Sequence, residues 1–132
     1  MLIKEYIDTS LIREIQTRNN IKTTYKFDFG YSDGKVQALE LLAKTFETEG
    51  RQDFEEFVFT AAQKCAETCT RSDLNAYQHG FATGGREIFG LVMRMIKEHQ
   101  FEEPALADSI DGLSIDSSLY DLDPEVFGYV RQ

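Results

Sequence analysis

Apolar residues recur at helical spacing along most of the chain. Ile3, Ile7, Leu11 and Ile15 stand four apart and mark one stripe of an amphipathic helix over residues 3–18. Asp8, Thr9 and Ser10 interrupt that stripe, and Ser10 is an alternative cap for a helix that begins at Leu11. Val36, Leu39, Leu42, Ala43 and Phe46 predict a second helix, capped by Ser32 or Asp33 and stopped by Gly50. Phe54, Phe57, Val58, Ala61, Ala62, Cys65 and Cys69 predict a third over residues 53–70. The longest helix, over residues 73–99 with Ser72 as its cap, carries the stripe Leu74, Tyr77, Phe81, Gly84, Ile88, Leu91, Val92 and Met95. Ala82, Phe89, Met93 and Ile96 widen it. A helix with so broad an apolar face belongs at the centre of a bundle or at a dimer interface.

One segment changes period. Ile21, Thr23, Tyr25, Phe27, Phe29 and Tyr31 alternate with Lys22, Thr24, Lys26, Asp28 and Gly30, the pattern of a strand over residues 21–29. A single strand forms no sheet. It needs Leu113-Ser114-Ile115, a second copy of the chain or a partner's strand to pair with, or it lies extended across the helices. The fold expected is therefore mainly α: a bundle of three to four helices with one strand-like segment. Residues 1–101 form its core domain. Residues 102–132 form a separate segment with Pro104 at its start, an Asp111-Gly112 turn and a short helix opened by Asp123-Pro124-Glu125. That segment either packs on the core or orders on a partner.

Charge sharpens this division. The chain holds 14 Lys+Arg and 23 Asp+Glu, a net −9. Residues 102–132 contribute −7 and residues 1–101 only −2. Direct binding to nucleic-acid phosphates is disfavoured, because it rests on Lys and Arg. A basic protein is the partner such a segment suits. With 42% hydrophobic residues, among them 10 Phe and 6 Tyr, the chain can build a core without disulfides or metals. No apolar run reaches the ~18 residues of a membrane span. The start, Met1-Leu2-Ile3-Lys4-Glu5, does not read as a signal peptide, so a soluble cytoplasmic protein is expected.

Candidate chemistry is sparse. Gly30-Tyr31-Ser32-Asp33-Gly34 fits the G-x-S-x-G pattern that places a hydrolase serine on a strand-to-helix turn. The hydrolase fold needs several parallel strands, a histidine base and an acid, so a plain turn capped by Ser32 and Asp33 is the favoured reading. His79 and His99 lie on one helix, ~30 Å apart at ~1.5 Å per residue, and cannot share a site in a straight helix. Cys65 and Cys69 are one turn apart, with Cβ atoms ~5–6 Å from each other, too far for an unstrained disulfide. They read as small core residues, and no further ligands complete a zinc site. Asp121-x-Asp123-x-Glu125 begins like a calcium loop, but Val126 stands where glycine is required. No GK[ST] follows any glycine set, so no phosphate loop is present. No metal and no cofactor are expected. Gly80-x-x-x-Gly84, with Ala76 one turn earlier and Ile88 one turn later, forms a flat strip that another backbone can approach closely, or else a kink near Gly84-Gly85.

The run Tyr77-Gln78-His79-Gly80-Phe81-Ala82-Thr83-Gly84-Gly85-Arg86 resembles the last helix of small helical bacterial and prophage proteins, which carry an aromatic, Gly-Phe-x-x-Gly-x-Arg and then an apolar helix. The resemblance spans residues 77–96 and implies a helical hairpin but no activity. In size and acidity the chain is also similar to phage inhibitors of host defence complexes, anti-CRISPR proteins among them. The function expected is a non-enzymatic protein-binding module, an acidic inhibitor that covers the nucleic-acid site of a basic host protein. Asp116, Leu119, Tyr120, Asp121, Asp123, Glu125 and Phe127 would make the contact. The alternatives are a homodimeric helical protein joined through Ala76, Gly80, Gly84 and Ile88, and a small serine hydrolase using Ser32.

Overall fold

The computed structural model describes residues 2–98, which form four helices: α1 (Ile3–Asn19), α2 (Lys26–Thr48), α3 (Arg51–Cys69) and α4 (Ala76–Lys97). There is no strand among the described residues. Helix α1 begins without a side-chain cap, and the Glu5 carboxylate instead reaches back to the Leu2 N–H at 3.1 Å. Its inward stripe is Ile3, Ile7, Ser10 and Glu14, so Leu11 and Ile15 stand half-buried at its edge. Ser10 is an interior helical residue, not a cap. Helix α4 starts at Ala76, three residues after the position the sequence suggested. Asn75 explains the difference. Its side chain accepts from the Gln78 N–H at 2.8 Å while the Gln78 side chain accepts from the Asn75 N–H at 2.9 Å, a reciprocal capping box that Ser72 does not form.

The strand expected over residues 21–29 is instead a turn followed by the first turn of α2. The alternation was genuine but ambiguous. Phe27 and Tyr31 differ by four, as do Tyr25 and Phe29, so both pairs also lie on common faces of a helix. Tyr25 and Phe27 remain 59% and 42% exposed, and a strand would have had to bury one aromatic face in a sheet that does not exist. Tertiary packing against α4 decides for the helix. Helix α2 therefore runs straight through the Gly30–Gly34 stretch, which is neither a turn nor a helix cap.

The helices pack in the order α1, α2, α4, α3. The largest interface is between α2 and α4, followed by α3 with α4 and α1 with α2. Helix α3 is the return stroke that lets α2 and α4 run parallel. The core lies between α2, α3 and α4 and is built from fully buried Leu39, Leu42, Phe54, Val58, Phe89 and Val92. Phe57 meets Phe89 edge to face at 5.8 Å, and Phe46 meets Phe54 at 5.2 Å, the arrangement aromatic quadrupoles favour. Ile3 and Ile7 of α1 join the same core.

Candidate functional site

Four glycines set the separation of α2 and α4. On α2, a Cβ at Gly30 would overlap the carbonyl oxygen of Tyr77, and one at Gly34 would overlap that of Phe81. On α4, a Cβ at Gly80 would overlap the carbonyl of Phe27, and one at Gly84 that of Tyr31. Each helix thus lays its glycines over the other's backbone, a separation only residues without Cβ permit. Gly80 and Gly84 are covered by α2 of the same chain. They offer no strip to a second copy, and Ile88 is buried in the core. Ala76 is exposed at the first position of α4. A homodimer joined through these four residues therefore loses its surface.

Close approach brings side chains from three helices into register. Asp33 of α2 accepts from Arg18 of α1 at 2.9 Å and from the hydroxyl of Tyr77 of α4. Tyr31 donates to Glu87 at 2.6 Å. The ammonium of Lys35 lies 3.3 Å from the buried Glu14 and 4.4 Å from the Tyr31 ring centroid, a cation–π contact. Burial, together with the hydrogen bond to Glu87, pushes the Tyr31 phenol up to about 12. Burial, then the Asp33 carboxylate, raises Tyr77 as well, and burial raises Tyr6. These phenols therefore stay protonated as donors at neutral pH. Each carboxylate here is committed to a partner, so the network ties helices together and presents no free nucleophile with a base.

Ser32, the candidate nucleophile, is 1% exposed in the middle of α2, and its hydroxyl has no hydrogen-bond partner. The strand-to-helix turn that a nucleophile elbow requires is absent there. His79 is on α4 and half-buried, and His99 lies outside the described residues. Cys65 is buried and Cys69 half-buried, and neither is in a disulfide. No group of three His, Cys, Asp or Glu side chains among the described residues is placed to hold a metal ion. No helix among them is long and apolar enough to cross a membrane. The candidate partner-binding residues Asp116, Leu119, Tyr120, Asp121, Asp123, Glu125 and Phe127 lie outside the described residues, as do Leu113–Ile115 and the whole of segment 102–132.

Two of the clefts among the described residues adjoin these contacts. One, of about 450 Å³, lies between the end of α1, the connection to α2 and the first turns of α2, and Ser32 is in its wall. The other, of about 590 Å³, runs along the outer side of α4, where Arg86, Arg94 and Lys97 are exposed. The pairing of Gly30-x-x-x-Gly34 with Gly80-x-x-x-Gly84 escaped sequence reasoning because the first set also satisfied a hydrolase pattern. The signal that would have found it is the same four-residue spacing occurring twice in one chain.

The fold defines a helical bundle whose central pair is joined by glycine contacts. Comparison with protein-family models, with curated proteins and with solved structures finds no match to this chain.

Proposed function

We propose that the chain is a non-enzymatic protein-binding module, in which the helical body carries the acidic segment 102–132 to a basic partner and covers that partner's nucleic-acid site. The observation that supports this reading is the division of charge: −7 in the last 31 residues against −2 in the rest. Two carboxylates of the bundle also support it, since Glu14 and Asp33 are paired with Lys35 and Arg18 and add little to an outward anionic field. Asp116, Asp121, Asp123 and Glu125 would meet Lys and Arg of the partner, with Leu119, Tyr120 and Phe127 supplying apolar contact. The reading is that of a cytoplasmic inhibitor of the kind mobile elements direct against host nucleic-acid-binding complexes.

The test is affinity capture from nuclease-treated lysate with two full-length baits, the wild type and one carrying Asp116→Asn, Asp121→Asn, Asp123→Asn and Glu125→Gln. A basic nucleic-acid-binding protein should be retained by the wild type and lost by the neutralised bait. Raising salt from about 50 to about 500 mM should weaken the purified complex tenfold or more, since screening acts on charged contacts. Binding that is indifferent to salt and to the four substitutions disproves the reading.

A further inference from the structure

We propose that the cationic groove on the outer side of α4 is the docking site of residues 116–127 of the same chain, which holds the acidic segment against its own bundle until a basic partner displaces it. The docking is an event of this chain alone, and only its competition with a partner rests on the function proposed above.

The groove has a volume of about 590 Å³ and is walled by α4. Arg86, Arg94 and Lys97 are exposed along it, Leu91 and Met93 are half-buried at its sides, and Glu87 is the one acid among its described residues. Two features set this face apart. The first is its charge. Lys4, Arg18, Lys35, Arg51 and Arg71 each pair with a carboxylate, whereas Arg86, Arg94 and Lys97 form no ion pair among the described residues. The helix dipole accounts for Arg94 and Lys97 in the last turn of α4, but not for Arg86 nearer its middle. The second is Gly90. A backbone lies over each of Gly30, Gly34, Gly80 and Gly84, but no described atom lies within 4 Å of a Cβ added at Gly90, and a glycine inside a helix is otherwise unfavourable. Its effect is to leave an open groove between the cationic side chains.

Charge and chain length point to the occupant. Residues 116–127 carry Asp116, Asp121, Asp123 and Glu125 and no base, interleaved with Leu119, Tyr120 and Phe127. Three cations beside Leu91 and Met93 are the complement of that pattern. Lys97 ends α4, so the segment is tethered at one end of the groove. Residues 98–115 reach up to ~60 Å when extended, while Arg86 to Lys97 spans only ~16 Å at ~1.5 Å per residue. A tether of this length holds the segment at roughly millimolar effective concentration, which offsets the weakness of single exposed ion pairs.

Amide resonances of the full 132-residue chain read the docking with no partner present. The wild type is compared with a tail-neutralised chain (Asp116→Asn, Asp121→Asn, Asp123→Asn and Glu125→Gln) and a groove-neutralised chain (Arg86→Gln, Arg94→Gln and Lys97→Gln, all at exposed positions). Neutralising the tail should move the amides of Arg86, Gly90, Arg94 and Lys97, although no substitution is near them in sequence. Neutralising the groove should move those of Leu119, Tyr120 and Phe127. Raising salt from about 50 to about 500 mM should lower the docked-to-free ratio tenfold or more and bring the wild-type positions towards those of the neutralised chain. The positions should be the same at about 20 and about 200 µM protein, since an intramolecular contact is indifferent to dilution. The groove-neutralised chain should bind any captured basic partner roughly threefold to tenfold more tightly, because no docked state has to be opened first. The proposal is overturned if the α4 amides do not move in the tail-neutralised chain. It is also overturned if the shifts vanish on dilution, which would place the segment on a second copy. Capture of a basic partner with unmoved α4 amides would sustain the proposed function and remove the docking, and moved amides without a captured partner would do the reverse.

Discussion

Gly34→Ala isolates the contact on which the bundle is built. The added methyl would overlap the carbonyl oxygen of Phe81 and lie 2.9 Å from both the carbonyl carbon and the Cα of that residue. Carbon atoms in ordinary contact stand ~3.5–4.0 Å apart, so α2 and α4 must separate by on the order of 1 Å at the crossing. The obstacle is backbone, with no flexible side chain to turn aside. Separation also loosens the contacts at Gly30, Gly80 and Gly84 and lengthens the hydrogen bonds Tyr31–Glu87 and Tyr77–Asp33. Overpacking of this kind costs ~1–3 kcal/mol, and a backbone obstacle puts it at the upper end. Alanine returns ~1 kcal/mol of helix propensity. The net expectation is about 2 kcal/mol of destabilisation, or a Tm lowered by roughly 8–16 °C for a body of this size. Gly90→Ala is the internal control. It is also in the interior of α4, but nothing stands within 4 Å of its added methyl, so propensity alone should stabilise it by ~0.5–1 kcal/mol. Urea denaturation followed by circular dichroism at 222 nm measures both. The two substitutions should differ in sign. If Gly34→Ala stabilises the protein as Gly90→Ala does, the close α2–α4 approach is refuted.

Further substitutions test the surrounding contacts. Ser32→Ala should stabilise the protein by about 1 kcal/mol, since it removes an unsatisfied buried hydroxyl and improves helix propensity; a loss in chemical denaturation would mean the hydroxyl has a partner. Asn75→Ala should cost ~1 kcal/mol in the same assay by breaking the capping box of α4, and an unchanged midpoint would place the start of α4 elsewhere. Phe89→Ala should cost ~3–5 kcal/mol, because the ring is fully buried against Phe57, and a smaller loss would mean that the core collapses around the cavity. Tyr31 is raised from 10.0 to about 12 on folding, so its contribution is fully present below pH 10 and is lost as pH rises towards 12. Thermal midpoints measured across that window should fall less steeply in Tyr31→Phe than in the wild type, and parallel curves would remove Tyr31 as a cause.

The helical class was legible because its evidence is local. Val36, Leu39 and Leu42, and likewise Phe54, Phe57, Val58 and Ala61, repeat at a period near 3.6, and the face they mark is the face that is buried. The close-approach character of Gly80 and Gly84 was legible for the same reason, since two glycines one turn apart leave a groove on any helix. The partner in that groove was not legible. Whether it is met by a second copy or by α2 depends on contacts between distant positions, such as Gly30 with Tyr77 and Gly34 with Phe81, each pair 47 residues apart in the chain. Residues 21–31 show the limit most clearly. Alternating aromatics satisfy the two-residue period of a strand, yet pairs four apart satisfy a helix equally, and periodicity cannot choose between them. The choice was made by α4, whose glycines accept the α2 backbone only as a helix. The Tyr31–Glu87 and Tyr77–Asp33 hydrogen bonds are consequences of that docking, while the Arg18–Asp33 and Lys35–Glu14 pairs and the cleft beside Ile21 come from the packing of α1 on α2. Charge needed no fold to be read: the sequence by itself assigned the acidic excess to residues 102–132. Period and composition are properties of neighbours along the chain. Which backbone lies against which glycine is a property of distant segments brought together, and only the tertiary structure decided it.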